Sequence, residues 1–169
     1  MGVIVNNTVI SNFAIVGRLD LLQKLIGKIY ITPEVLEEIS DGIKEGHLFL
    51  KEAKRIIDEN DWILIKELEI EELIIYKRLS QRLGIGESSC LAIAYTHKWS
   101  FFSDDKSARN YARENNISLG GTFGLLISTI DEHILSKYQA NELLQIMRKN
   151  RYRSPYPDID SYYKERSFL

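Results

Sequence analysis

The stretch Val3-Ile4-Val5-Asn6-Asn7-Thr8 decides the fold class. Its three apolar residues read as a short buried strand, and the polar triplet behind them marks that strand's C-terminal end. The pattern returns along the chain: Lys28-Ile29-Tyr30-Ile31, Trp62-Ile63-Leu64-Ile65, Trp99 to Ser103 and a short piece near Ile117–Leu119 read as further strands. Helical spacing fills the gaps. Leu19, Leu22, Leu25 and Ile26 share one face after the break at Gly17. Thr32 and Pro33 form an N-cap and N1 pair, opening a helix that carries Val35, Leu36 and Ile39 until Gly42 stops it. Further helices are expected over about 48–60, 69–83, 86–97 and 106–115, with two more behind the last strand. Strands that are apolar throughout and alternate with helices predict a central parallel sheet covered on both faces, a three-layer α/β/α domain. Ligands in such folds bind beyond the C-terminal ends of the strands. Asn6 and Asp105, each directly behind a strand, are therefore expected to face one crevice.

The 169 residues, 44% of them hydrophobic, suit one compact body without repeats. Residues 1–135 are expected to form the main domain, with 136–169 a C-terminal helix and basic tail packed on it or extending from it. One cysteine, Cys90, excludes an internal disulfide scaffold and a Cys-rich zinc site, which favours a reducing, cytoplasmic setting. No uncharged run approaches the roughly 20 residues that span a bilayer, and the N-terminus lacks the features of a secretion signal, so no membrane association is expected. The net charge of −2 gives no overall attraction to nucleic acid, but six basic and three acidic side chains in residues 148–169 leave −5 for the remainder.

Four places put acids or carboxamides at element ends: Asn6, Glu38, Glu87 and the pair Asp104-Asp105. Each has an ordinary structural reading. A carboxylate at Glu87 suits a helix N-terminus, Asp104 or Asp105 suits an N-cap, and Glu38 shares a charged helix with Glu34 and Glu37. His97 and His133 have no neighbour at metal-ligand spacing, and Tyr76, Leu79 and Leu83 form a stripe suited to core or dimer packing.

As a set, Asn6, Glu38, Glu87 and Asp105, at spacings of 32, 49 and 18, resemble the PIN-domain family of metal-dependent nucleases. Val3-Ile4-Val5-Asn6-Asn7-Thr8-Val9-Ile10 is similar to that family's opening strand and first acid, and Glu38-Ile39-Ser40-Asp41-Gly42 to its second. Gly86-Glu87-Ser88-Ser89-Cys90-Leu91-Ala92-Ile93-Ala94 resembles the helix with the third acid, and Phe101-Phe102-Ser103-Asp104-Asp105 the strand with the fourth. The nearest likeness is to a prokaryotic, toxin-related subfamily, VapC-like, carried also by Gly17-Arg18-Leu19-Asp20, Asp104-Asp105-Lys106-Ser107-Ala108-Arg109 and Gly121-Thr122-Phe123-Gly124.

The resemblance implies a ribonuclease that hydrolyses RNA phosphodiester bonds with Mg²⁺ or Mn²⁺. In that reading Glu38, Glu87 and Asp105 hold the metal, Asp104 is a further candidate ligand, and Thr8 and Ser103 orient the set by hydrogen bonds. It also implies a homodimer and an antitoxin partner. The family's usual first acid is Asp, where this chain has Asn6, a neutral carbonyl ligand or a residue that positions water. The alternative is a weak or inactive PIN fold that binds RNA or protein. Paired acids behind the first strand, as a phosphoaspartate signalling domain needs, are replaced here by Asn6-Asn7. Arg148, Lys149, Arg151 and Arg153, with Tyr152 and Tyr156 beside them, suit a phosphate backbone and stacked bases, or simply a solvated helix C-terminus.

Overall fold

The computed structural model describes residues 1–168; Leu169, the last residue of the basic tail, lies outside them. Five strands, β1 (Val3–Val5), β2 (Ile29–Ile31), β3 (Ile63–Ile65), β4 (Ser100–Phe102) and β5 (Leu119–Gly120), form one sheet in the order β3-β2-β1-β4-β5. Every neighbouring pair is parallel, with Ile4 opposite both Tyr30 and Phe101. β1 lies at the centre, so the chain reverses its winding there. The residues just behind β1 and β4 consequently open into the crevice expected of a parallel sheet.

Ten α-helices cover the sheet among the described residues: α1 (Asn7–Ile15), α2 (Asp20–Ile26), α3 (Pro33–Lys44), α4 (Lys51–Asp58), α5 (Ile70–Leu79), α6 (Ile85–His97), α7 (Lys106–Glu114), α8 (Thr122–Asp131), α9 (Lys137–Lys149) and α10 (Ile159–Arg166). Ile4, Val5, Ile29, Ile31, Ile63 and Phe101 are fully enclosed, which is why their strands carry no polar alternation. No helix among the described residues is long and apolar enough to cross a membrane.

Several local readings change. Asn6 follows β1 and caps a helix not expected from the sequence, α1, which begins at once and buries Val9, Ile10, Phe13 and Ala14. Gly42 does not stop α3, which runs on to Lys44; a Cβ at Gly42 would stand 2.7 Å from Leu50 Cδ1, so the glycine admits a close neighbour. The helix expected over about 48–60 is a 3₁₀ turn, Leu48–Leu50, followed by α4, and the one expected over 69–83 ends at Leu79. Three helices, not two, follow the last strand. Of these, α9 contributes Ala140, Leu144 and Met147 to the same core as the strands, joined by Tyr152 and Ile159 beyond it. The stripe of Tyr76, Leu79 and Leu83 divides between core and surface: Leu79 is buried and Leu83 packs against the core.

Candidate metal centre

Beyond the C-terminal ends of β1 and β4 lies a cleft of about 810 Å³, walled by Asn6, Asn7, Thr8, Ser11, Asn12, Glu38, Glu87, Asp104, Asp105, Lys106 and the segment Asn150 to Arg153. Asn6, Glu38, Glu87 and Asp105 come from four different elements and meet here. Asn6, only 1% exposed, is the hub. Its Oδ1 accepts from the Asn7 amide at 2.5 Å, while its Nδ2 donates to Glu87 Oε1 at 3.1 Å and to Ser103 Oγ at 3.2 Å. A carboxylate only accepts, so the atom facing Glu87 has to be the NH₂ group. Asn6 thus turns a donor, not its carbonyl oxygen, toward the carboxylates.

Two glycines make the room. A Cβ at Gly86 would fall 2.4 Å from Glu38 Oε1, and one at Gly84 would fall 2.1 Å from Glu87 Oε2. The Gly86 amide donates to Glu38 Oε1 at 3.2 Å. Thr32 caps α3 through the Val35 amide, and its hydroxyl meets that of Ser89 at 2.8 Å, fixing the start of α3 against the start of α6. Burial, with the nearby Glu87 and Glu34 charges, pushes the Glu38 carboxyl up to about 7 despite the Gly86 amide.

Asp104 and Asp105 separate by their partners. Asp105 caps α7, accepting from the Ala108 amide at 2.7 Å, and its own amide donates to Ser103 Oγ at 3.1 Å. Asp104 has both oxygens engaged: Oδ1 accepts from the Thr122 amide at 2.9 Å, Oδ2 from Asn12 Nδ2 at 3.0 Å and from the Thr122 hydroxyl at 2.5 Å. Its amide donates to Thr8 Oγ1 at 3.0 Å. Burial raises the Asp104 carboxyl against these hydrogen bonds. Asp104 therefore ties β4 to α1 and α8, and Asp105 keeps an oxygen for a further partner. Asn12 and Thr122 have no motif of their own in the sequence; only the fold brings them to Asp104.

The basic tail divides. Arg151 and Arg153 line the cleft, whereas Arg148 and Lys149 sit in the last turn of α9, with Arg148 donating to the Pro157 carbonyl. Tyr152, expected to offer its ring to bases, is buried, and its hydroxyl accepts from the Phe123 amide at 3.1 Å. It serves as the peg that holds Arg151 and Arg153 beside the cleft. Tyr156 stacks within the protein, 5.2 Å from Phe123 and 5.3 Å from Tyr162 between ring centroids.

Oxygen donors alone serve hard cations such as Mg²⁺ and Mn²⁺. Glu38, Glu87 and Asp105 supply them, and among the described residues no His or Cys lines the cleft. Burial is the main reason the Glu38 carboxyl is raised and the neighbouring Glu87 charge adds to it, so a cation beside the two would offset that repulsion. In donor type the set suits such an ion. Among the described residues, the one set of three acid or histidine side chains with donor atoms all within 4.8 Å of one another is Glu69, Glu72 and His97, outside this cleft; the donor atoms of Glu38, Glu87 and Asp105 stand wider apart. His97 is not isolated, as its spacing suggested: Nε2 is 2.5 Å from Oε1 of the buried Glu72, whose other oxygen caps α5 through the Glu69 amide. Cys90 is fully buried and its thiol is pushed up by that burial, so it offers no nucleophile.

A family model described as PIN domain (DUF3368) matches residues 2–163. The chain belongs to the PIN-domain family. PIN domains are generally nucleases, and the matched span includes all four residues that meet behind β1 and β4. The VapBC2 complex from Rickettsia felis, bound to a DNA fragment from its promoter, is similar to this PIN domain, at 16% identity over 72% of this chain and 98% of that one, TM-score 0.50. A PilT N-terminus domain protein from Sulfolobus solfataricus is 15% identical over 77% of this chain and 94% of that one, TM-score 0.49. No curated protein matches.

The Glu38→Gln variant of this PIN domain separates stability from function. Glu38 has a folded pKa above its unfolded value, so the folded state holds the proton more tightly and the wild type loses stability as pH rises from about 4.5 through about 7. Screening of this half-buried group limits the loss to about 1–2 kcal/mol. Thermal melts in EDTA at pH 5 and pH 8 are expected to show the wild-type Tm falling more steeply than that of Glu38→Gln. Parallel pH profiles would refute this account of Glu38.

Proposed function

We propose that this chain is a metal-dependent endoribonuclease, hydrolysing RNA phosphodiester bonds with Mg²⁺ or Mn²⁺. One observation carries the reading: carboxylates from α3, α6 and the α7 cap line one cleft together with Arg151, Arg153 and Lys106. Glu38, Glu87 and Asp105 would hold the ion, with Asp104 completing the wall as a structural tie. When bound, the ion lowers the pKa of its water and screens charge gathering on the phosphate. In the hydrolysis a water oxygen attacks phosphorus, one P–O bond breaks, and the departing ribose oxygen takes up a proton. Arg151 and Arg153 draw the phosphate backbone over the carboxylates, and Ser103 and Thr8 keep the Asp104-Asp105 turn in place. In this reading residues 1–135 carry the chemistry, and 136–169 close the cleft through the Tyr152 peg. Toxin activity, with an antitoxin as partner and a homodimer as working form in the cytoplasm, belongs to the same proposal. The family and the similarity to the VapBC2 complex support the toxin and antitoxin part of it.

The test is cleavage of unstructured and structured RNA by purified protein in Mn²⁺, in Mg²⁺ and in EDTA, with calorimetric titration of Mn²⁺. Metal-dependent cleavage abolished by Glu87→Gln is the expected result. Equal cleavage by both proteins, or none in either metal, would overturn it. A second reading has one observation in its favour: Asn6 presents an NH₂ group where the family's usual Asp would present charge, which suits a PIN fold that binds RNA or protein without cutting. Tight RNA binding without cleavage at any metal concentration would select it.

A further inference from the structure

The cleft does not end at Arg153. Beyond the ridge made by Tyr152 and Arg153 a second cleft of about 540 Å³ opens, sharing Asp104, Lys106, Tyr152 and Arg153 with the first. Its far wall is Arg113 and Asn110 of α7, and its floor is Leu119, Gly120 and Gly121 with the edge of Phe123 and the exposed Gly124. Arg109 is already engaged, donating to the Ser103 and Gly120 carbonyls at 2.8 and 2.9 Å. Lys106, Arg113 and Arg153 are exposed and stand on the rim. Among the described residues none of the three has a carboxylate within ion-pair distance, and Arg113 donates to Asn110 Oδ1 on its own helix at 3.1 Å. Three unpaired cations around a bare-backbone floor with apolar sides, continuous with the carboxylate cleft, complement a chain of phosphates carrying flat bases.

We infer that the second cleft is a nucleotide subsite for single-stranded RNA. Lys106 and Arg153 at the ridge contact the phosphate next to the one being cut, Arg113 contacts the phosphate beyond it, and the intervening base lies over Leu119, Gly124 and Pro155. The inference rests on the ribonuclease reading and adds to it a direction of travel, from the carboxylates across α7. A duplex keeps its bases paired inward and has none free to lie over Leu119, Gly124 and Pro155.

The test measures binding in EDTA, where cleavage does not interfere, by fluorescence anisotropy of labelled single-stranded oligonucleotides two and eight nucleotides long. Arg113→Gln is compared with wild type and with Lys51→Gln, which removes a charge from α4, outside both clefts. Arg113→Gln is expected to weaken the eight-mer about five- to tenfold and to lower its salt slope by about 0.7, the value for one phosphate contact to a single strand. The two-mer and the Lys51→Gln protein should behave as wild type. An eight-mer affinity and slope unaffected by Arg113→Gln would overturn the subsite while leaving the nuclease reading to its own cleavage assay. Equal dependence on Arg113 for a blunt duplex would overturn the single-strand claim. A wild-type protein that neither binds nor cuts RNA removes both.

Discussion

Glu87→Gln is expected to abolish Mn²⁺-dependent RNA cleavage, with kcat falling about a thousandfold, as losing several kcal/mol of metal-assisted stabilisation requires. The substitution keeps the shape and an acceptor oxygen, so the bond from Asn6 Nδ2 to position 87 can persist and the fold should survive. It also removes one of the charges that burden Glu38, so the melting temperature without metal should stay level or rise. Asp105→Asn should cost as much in cleavage, and its amide carbonyl can still cap α7 through the Ala108 amide. Single-turnover cleavage assays and thermal melts on the same preparations check both halves. Full activity in either variant, in protein shown free of contaminating nuclease, would detach that residue from the chemistry.

Asn6→Asp exchanges a donor for a charge at the most enclosed point of the cleft. Without metal the new carboxylate would lie about where Nδ2 now lies, 3.1 Å from Glu87 Oε1, and a bridging hydrogen bond becomes a contact between like charges. The protein in EDTA should lose about 1–3 kcal/mol of stability. With Mn²⁺ the sign reverses. An added anionic oxygen should tighten binding about ten- to a hundredfold, which corresponds to about 1.4–2.8 kcal/mol. The variant's Tm should therefore be lower than wild type in EDTA yet gain more from saturating Mn²⁺. If neither quantity moves, Asn6 does not adjoin the metal, and the donor it gives Glu87 serves packing alone.

The strands were legible because each is buried on both faces: Val3-Ile4-Val5 and Ile29-Tyr30-Ile31 carry their apolar runs without interruption. α1 was not. It is enclosed over much of its circumference, and Asn7, Val9, Ile10 and Asn12 are weak helix formers that hide the 3.6-residue period. The places of Asn6 and Asp105 could be read from the strand-end rule, since that rule depends only on topology. Asp104 could not be sorted from Asp105 in sequence, because what distinguishes them is Asn12, 92 residues away, and Thr122, 18 residues away. The division of the basic tail was equally hidden. Arg151 and Arg153 reach the cleft because Tyr152, between them, is fastened to Phe123, a contact spanning 29 residues.

Glu38 and Gly86 lie 48 residues apart, yet the 2.4 Å left for a Cβ at position 86 makes them one steric unit. The obstructing atom is the tip of a flexible side chain, so an alanine at 86 would leave the fold standing and displace the carboxylate. The two positions can therefore drift only as a pair. A side chain at 86 is compatible with an acid in this cleft only if the acid at 38 is shortened, as Asp for Glu, and a chain carrying one change without the other would have an intact body with one carboxylate pushed out of place.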